Sequence, residues 1–337
     1  MNDNGAPLLS LILPVYKAEA YLPRCLDSIF DAGIDRRQFE IIAVDDASPD
    51  GSFALLETYA AAHPELRLLR HAQNAGIGAT RNDGLRAACG RYVWFIDSDD
   101  ALHTANLPRL LSLLQHSEAE LIAFNFTVFR DQGPDERFPA FDLIPTPQPV
   151  SGRELFLTQR LYFAPWNKIL RRDFLLRHDL FFIPGLYPED VEWLTRCYHC
   201  AETARACDLD LYRWYIRSDS QSHNIDHLST YINGFEQVID RHLALISLQP
   251  DSSFWAKDMK YKLCCLYDFC RDARSFGVIS PEVYRDHLTK LRRRARRVLS
   301  QLSPCLSRHY LGLIAVSLSP GIFRSLRDLA DAIRFRR

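Results

Sequence analysis

No stretch of this chain approaches the ~18–20 consecutive apolar residues that a membrane-spanning helix requires, so none is expected to cross a bilayer as a helix. The first residues lack a basic segment followed by a long apolar one. Leu8 to Val15 is short and carries Pro14, so no secretory leader is expected and the chain reads as cytoplasmic. Net charge is nearly absent: 41 Lys and Arg oppose 42 Asp and Glu, leaving −1 and no global field to attract nucleic acid. Cysteine is not scarce, at nine, yet the spacing of a zinc site is missing. Cys197-Tyr198-His199-Cys200, with Cys207 beyond it, has no second pair at similar spacing, and Cys264-Cys265 does not supply one. These cysteines read as reduced thiols and small core residues. Internal repeats and low-complexity segments are also absent. What remains is an ordinary globular composition, 47% hydrophobic and 25% charged over 337 residues. That length suits one large α/β domain with a smaller appendage.

What is present is alternation. Apolar runs at Leu9–Val15, Glu40–Val44, Leu66–Arg70 and Tyr92–Ile96 read as buried strands, separated by helical patterns at 20–30, 53–62 and 79–88. Strands separated by helices imply βαβ units and a mostly parallel sheet. In such a sheet, ligands collect beyond the carboxyl ends of the strands. Pro14-Val15-Tyr16, Asp45-Asp46 and Asp97-Ser98-Asp99 are therefore expected to converge on one crevice, although the sequence separates them widely. Asp50 or Ser52 is expected to cap the helix that starts at Phe53.

The run Asp97-Ser98-Asp99-Asp100 crowds three like charges at a strand end. Hard oxygen donors of this kind suit Mg2+ or Mn2+ carried by a substrate diphosphate, and the alternative is a solvated turn. Further on, 107–114 reads as a helix and 121–129 as a strand. Residues 130–150 read as a surface loop or strand-edge excursion, 151–160 as a helix, and 205–216 as one more strand pair. Glu189-Asp190 stands at the start of a helical stretch running to Cys200, where the macrodipole stabilises negative charge. Beyond Leu228 the pattern is helical.

Taken in order, Leu11-Ile12-Leu13-Pro14-Val15-Tyr16, Val44-Asp45-Asp46-Ala47-Ser48-Pro49-Asp50-Gly51, Asn74-x-Gly76-x-x-x-Ala79-x-Arg81-Asn82 and Phe95-Ile96-Asp97-Ser98-Asp99-Asp100 resemble the family 2 glycosyltransferases of bacterial surface-polysaccharide synthesis. The similarity continues through Pro165-Trp166-Asn167-Lys168 and Glu189-Asp190, over roughly the first two-thirds of the chain. The resemblance implies a GT-A fold: α/β, Rossmann-like, with a mostly parallel central sheet flanked by helices and a C-terminal helical region. It implies a catalytic domain over 1–225, with a nucleotide-sugar half at about 1–105 and an acceptor half at about 106–225, and a basic helical region over 226–337.

The same resemblance implies roles. Asp46 with Asp45 would bond the nucleotide base, Pro14 and Tyr16 would line its pocket, and Asn74 and Arg81 would lie near the nucleotide and its phosphates. The structural alternative for Arg81 is an ion pair with Asp83 or Asp45. Asp97, Ser98 and Asp99 would meet the donor diphosphate, with Asp99, seconded by Asp97, the ligand of Mn2+ or Mg2+. Asp190 would be the general base of an inverting displacement, with Glu189 its rival. Trp166 would wall the sugar or sit in the core, and Lys168 would belong to the donor site. Arg217, Ser220, Ser222 and His223 fall where related enzymes carry a segment near the diphosphate, and His223 would add a metal ligand. The donor is expected to be a UDP-sugar and the acceptor a glycan or lipid-linked glycan.

Three rivals stand beside this reading. Gly76-Ile77-Gly78-Ala79-Thr80-Arg81 fails the dinucleotide-binding fingerprint, because Arg81 occupies the third glycine position and the unit is the third strand. A nucleotidyltransferase would want a Gly-rich, Arg-containing loop after the first strand, where Pro14-Val15-Tyr16-Lys17 stands. The third is a catalytically inactive sugar- or nucleotide-binding module on the same fold. Finally, Leu291-Arg-Arg-Arg-Ala-Arg-Arg-Val-Leu299 and the Arg-rich residues from Arg324 to Arg337 suit an anionic membrane surface, with the chain lying in the interface rather than spanning it.

Overall fold

The computed structural model describes residues 6–31, 33, 35–130, 133–134, 142–216, 227–248, 251–303 and 308–318. The chain divides into two compact units, Met1–Gly185 with Glu189–Arg217, and Leu186–Pro188 with Ser218–Arg337.

In the first unit, β1 (Leu9–Val15) and β2 (Phe39–Asp45) are buried along all seven residues each, as strands covered on both faces must be. With β3 (Leu66–Arg70) and β4 (Tyr92–Phe95) they form a parallel ladder in the order β3-β2-β1-β4. The chain thus runs outward from β1 to β3 and then returns to the other side of β1. That reversal opens a crevice between the carboxyl ends of β1 and β4. The sheet continues through β8 (Lys168–Arg171), β6 (Leu121–Arg130) and β9 (Ala204–Tyr215) to the short β5 (Ala101–Leu102), with β7 (Gly133–Pro134) on the edge of β6.

Alternation along the strands sorts the layers. Leu9, Leu11 and Leu13 of β1, Ile41 and Ala43 of β2, and Trp94 of β4 share one cluster with α1 (Leu22–Phe30), α2 (Ser52–Ala62) and α4 (Leu107–His116). The opposite face takes α3 (Ile77–Ala87) and α7 (Glu189–Cys200). Gly84 lets α3 lie flush on β1: a Cβ there would stand 2.3 Å from Ile12 Cγ2. Trp193 of α7 meets Phe95 of β4 edge-on, ring centres 5.5 Å apart. Between these helices, the Asn82 side chain donates to the Phe182 carbonyl and accepts from its amide, both at 2.8 Å. Because α3 and α7 cover the same face, side chains more than a hundred positions apart come together beside the crevice. Helices α5 (Gly152–Thr158) and α6 (Arg172–Arg177) complete the unit.

Two local expectations are corrected. The expected strand pair at 205–216 is one 12-residue strand, Ala204–Tyr215. Register shifts beside Asn125 of β6 let β9 carry Asp208 and Asp210 without turning, and Asp210 accepts from the Thr127 hydroxyl. Helix α2 has Gly51 at its N-cap and no side-chain cap. Asp50, one residue before that position, accepts from the Ser52 amide at the head of the helix at 3.2 Å and also from the Glu19 amide at 3.3 Å, while Ser52 Oγ accepts from the Ala18 amide at 2.9 Å, so both side chains also tie down the β1–α1 loop.

The second unit is helical: α8 (Leu228–Leu248), α9 (Ser252–Ser275), α10 (Pro281–Gln301) and α11 (Arg308–Leu318). Its core holds a buried polar group. Asp258 bonds Lys262 and lies 3.3 Å from His242 Nδ1. Burial pushes the Asp258 carboxyl up, but Lys262 and His242 outweigh it and hold the group at about 2. Arg294 of α10 turns inward to Glu236 and Asp240 of α8, at 3.1 and 2.7 Å.

Candidate active site

The crevice at the β1–β4 reversal collects the motif loops. Pro14 is buried beside Val44, and Tyr16 beyond it is 42% exposed, with the Lys17 ammonium 5.2 Å from its ring. Lys17 and Ala47, at matching positions after β1 and β2, both adopt left-handed backbone with φ of 53° and 56°. Such conformations in residues other than glycine persist only where surroundings impose them, and they gather at functional sites. Here Ser48 Oγ accepts from the Lys17 amide, and the Asp46 amide donates to the Val15 carbonyl.

Asp45 and Asp46 both turn inward. Asp45 accepts from the Ser48 amide and faces Arg70 Nε at 3.3 Å. The Asp46 carboxylate accepts from the amides of Ala75 (2.7 Å) and Gly76 (2.9 Å) and meets His71 Nδ1 at 2.7 Å. It therefore organises the loop that leads into α3, where Gly76 takes the left-handed φ of 83°. Asn74 is exposed and donates to the Asp46 carbonyl at 3.4 Å.

The three carboxylates after β4 have separate environments. Asp100 is buried, accepting from Tyr212 Oη and the Tyr215 amide, both at 2.8 Å. Burial, then the neighbouring Asp99 and Asp97 charges, push its carboxyl well above the usual range. Asp97, Ser98 and Asp99 remain partly exposed, and Arg24, stacked 3.6 Å over the Tyr215 ring, donates to the Asp99 carbonyl. Asp97 Oδ1 lies 2.9 Å from Arg81 Nη2.

Arg81, on α3, is 2% exposed and pairs neither with Asp83 nor with Asp45. Its other terminal nitrogen meets Glu189 Oε1 at 2.6 Å, so one guanidinium joins the loop after β4 to the first turn of α7. Glu189 is thereby committed to an ion pair. The adjacent Asp190 has the Val191 amide, at 2.7 Å, as its polar partner among the described residues. Burial chiefly, and the Glu189 charge next, raise its carboxyl to about 7, although Arg81 pulls the other way.

Trp166 lies in the core at 4% exposure, stacked on Tyr212 with ring centres 4.7 Å apart and planes at 8°. Lys168 is fully buried. Its ammonium donates to the carbonyls of Tyr162 and Ala164 and to Asn167 Oδ1, and burial pulls its pKa well below the ordinary value. Arg217, Ser220, Ser222 and His223 lie outside the described residues.

Among the described residues, no group of three or more His, Cys, Asp or Glu side chains is arranged to hold a metal ion. Asp97 and Asp99 offer two hard carboxylates on one loop. Mg2+ is commonly held by one or two carboxylates and completes its shell from substrate phosphates and water, so this donor set fits an ion that arrives with a diphosphate.

The family model for glycosyl transferase family 2 matches residues 10–178. The chain belongs to this family. It is 29% identical over 226 residues to the uncharacterized glycosyltransferase YibD of Escherichia coli K12, covering 65% of this chain and 64% of that protein. It spans about three-fifths of the length of the curated relatives it matches. Residues 1–349 of S. aureus TarS, crystallised in complex with UDP-GlcNAc, share the fold with a TM-score of 0.65 at 20% identity, over 95% of this chain and 91% of that one. The mannosyltransferase PcManGT of Pyrobaculum calidifontis, in complex with GDP-Man and Mn2+, gives a TM-score of 0.54 at 14% identity, over 93% and 88%. The family 2 chain thus has the GT-A fold that its motifs imply.

Of the residues singled out in the sequence, the fold brings Pro14, Tyr16, Asp45, Asp46, Asn74, Arg81, Asp97, Ser98, Asp99, Glu189 and Asp190 to the loops at the crevice. Trp166 and Lys168 point into the protein. Three contributors carried no motif signal: His71, Arg24, and the pairing of Arg81 with Glu189. For His71 the available signal is its place directly after β3, matching that of Asp46 directly after β2 on the same sheet edge.

Proposed function

We propose that this chain transfers a sugar from a nucleotide diphosphate sugar, with UDP-sugars first among candidates, to a hydroxyl of a glycan or lipid-linked glycan in cell-surface polysaccharide synthesis. The observation that carries the reading is the Arg81 bridge. It ties up Glu189 and leaves Asp190 beside it with a carboxyl near 7, the range in which a general base works at neutral pH. That separation favours Asp190 over Glu189 as the base.

The chemistry follows from the placement. The acceptor oxygen attacks the anomeric carbon, its proton passes to the Asp190 carboxylate, and the bond from that carbon to the diphosphate oxygen breaks with the electron pair leaving on the nucleoside diphosphate. A single displacement of this kind inverts the anomeric configuration. Asp97 and Asp99 would hold Mn2+ or Mg2+, which when bound supplies Lewis-acid neutralisation of the leaving diphosphate. Arg81 keeps the carboxylates of Asp97 and Glu189 in fixed positions and adds positive charge beside the phosphates.

We also propose that the helical unit rests on an anionic membrane surface at the cytoplasmic face. No described helix is long and apolar enough to cross a membrane. On α10, Leu291, Ala295 and Val298 are buried, while Arg292, Arg293, Arg296 and Arg297 are exposed with no salt bridge among the described residues. Each such residue near anionic lipid contributes ~1 kcal/mol.

The test is metal-dependent release of nucleoside diphosphate from a panel of nucleotide sugars. Release lost in Asp99→Ala supports the transferase. Donor binding without turnover on any acceptor supports the inactive binding module.

A further inference from the structure

His71 stands between two carboxylates, with Nδ1 2.7 Å from Asp46 Oδ1 and Nε2 3.0 Å from Asp83 Oδ2. Ionised carboxylates only accept hydrogen bonds, and a neutral imidazole carries one N–H and one lone pair. A neutral ring would therefore oppose its lone pair to one of these oxygens at hydrogen-bond distance. The other oxygens are already engaged by donors: Asp83 Oδ1 by Arg86 at 2.7 Å, and Asp46 Oδ2 by the Gly76 amide at 2.9 Å. Asp46 Oδ1 also accepts from the Ala75 amide. Only the imidazolium, with two N–H donors, satisfies both contacts.

The charged groups around it come from every neighbouring element. Asp45 ends β2 and Asp46 follows it, Arg70 ends β3 and pairs with Asp45, and Asp83 and Arg86 sit on α3. Burial pushes the His71 ring down, but the bonds to Asp46 and Asp83 outweigh it and raise it above the ordinary histidine value. The sign follows: the clamp is complete at low and neutral pH and is lost as pH rises through the raised folded value.

We propose that His71 is a positioning residue: clamped as an imidazolium between Asp46 and Asp83, it holds the 74–76 loop in the conformation that binds the donor nucleotide. This deepens the transferase reading and rests on it for the identity of the ligand. Deprotonation removes one N–H, sets a lone pair against a carboxylate, and frees Asp46 from the cation that fixes it under the Ala75 and Gly76 amides. Nucleotide affinity then falls on the alkaline side.

The test measures affinity for UDP with Mg2+ by calorimetry from pH 6 to 9, on the full chain and on Asp83→Asn and His71→Gln, together with the imidazole 15N shifts of His71 by NMR. The wild type should hold its affinity to neutral pH and lose it above, with His71 doubly protonated at pH 7. Asp83→Asn should bind as the wild type does at pH 6 and move the alkaline loss down by about one pH unit, the effect of removing one opposite charge. His71→Gln should bind weakly with no alkaline limb. A neutral His71 ring at pH 7, or an alkaline limb unmoved in both variants, would overturn the proposal. Absence of UDP binding by the wild type at every pH would overturn the donor-site reading instead, and the NMR titration would still decide the protonation of the clamp.

Discussion

Arg81 and Glu189 lie 108 positions apart in the sequence and 2.6 Å apart in the fold. The contact exists because α3 and α7 cover the same face of the sheet, and through Arg81, which also pairs with Asp97, it joins the loop after β4 to the first turn of α7. Removing one partner of a buried ion pair costs ~3–5 kcal/mol, since the other charge is left uncompensated. Arg81→Ala is therefore expected to lower unfolding stability by about that amount, with Arg81→Lys intermediate because one ammonium cannot span both carboxylates. Chemical denaturation of the two variants checks this.

Asp190→Asn should lower transfer by roughly 10²–10⁴-fold, the span of general-base catalysis, while affinity for UDP stays unchanged. For the wild type, kcat/KM should fall about tenfold per pH unit below a midpoint near 7, because the base must be deprotonated. The linkage sign also has a stability consequence. A carboxyl raised from 3.8 to about 7 holds its proton in the folded state when the unfolded state has lost it, so it costs stability above about 7. Asp190→Asn should consequently raise the melting temperature at pH 8 while it lowers activity.

Neighbouring carboxylates should behave oppositely. Asp99→Ala should abolish metal-dependent turnover and change stability by less than about 1 kcal/mol, since the side chain is partly exposed. Asp100→Ala should destabilise by ~1–3 kcal/mol, because the Tyr212 hydroxyl and the Tyr215 amide lose their acceptor in the interior. Turnover assays beside denaturation curves separate the two.

The α10 arginines have their own readout. Partitioning of the full chain onto anionic vesicles at low salt, followed by co-sedimentation, should weaken on the order of 1000-fold when Arg292, Arg293, Arg296 and Arg297 are all changed to Ala, at ~1 kcal/mol each. Equal binding by both proteins, or none by the wild type, would contradict the membrane reading.

Much of the first half was legible in the sequence because its signals are local. Continuous apolar runs marked β1, β2 and β4, helical spacing marked α1 to α4, and the strand–helix alternation placed Pro14, Asp46 and Asp97 on one sheet edge. What stayed hidden depends on pairing across the fold. Nothing in Asp97-Ser98-Asp99-Asp100 says which carboxylate is desolvated; that is decided by Tyr212 and Tyr215 of β9. Nothing around Arg81 names Glu189, and nothing around His71 names Asp46. The apolar runs over 205–216 do not say whether they form one strand or two, which the pairing with β6 and its register shifts decides. The cap of α2 is shared for a related reason: Gly51 takes the N-cap position, Asp50 accepts from the Ser52 amide at the head of the helix, and Ser52 and Asp50 also serve amides of the β1–α1 loop.

The most direct measurement is Mn2+-dependent release of UDP from a panel of UDP-sugars by the full chain, beside Asp99→Ala and Asp190→Asn. The account predicts release with at least one donor, no release by Asp99→Ala, and acceptor-stimulated release reduced at least 100-fold in Asp190→Asn. UDP binding with no release from any donor, with or without glycan acceptors, would contradict it.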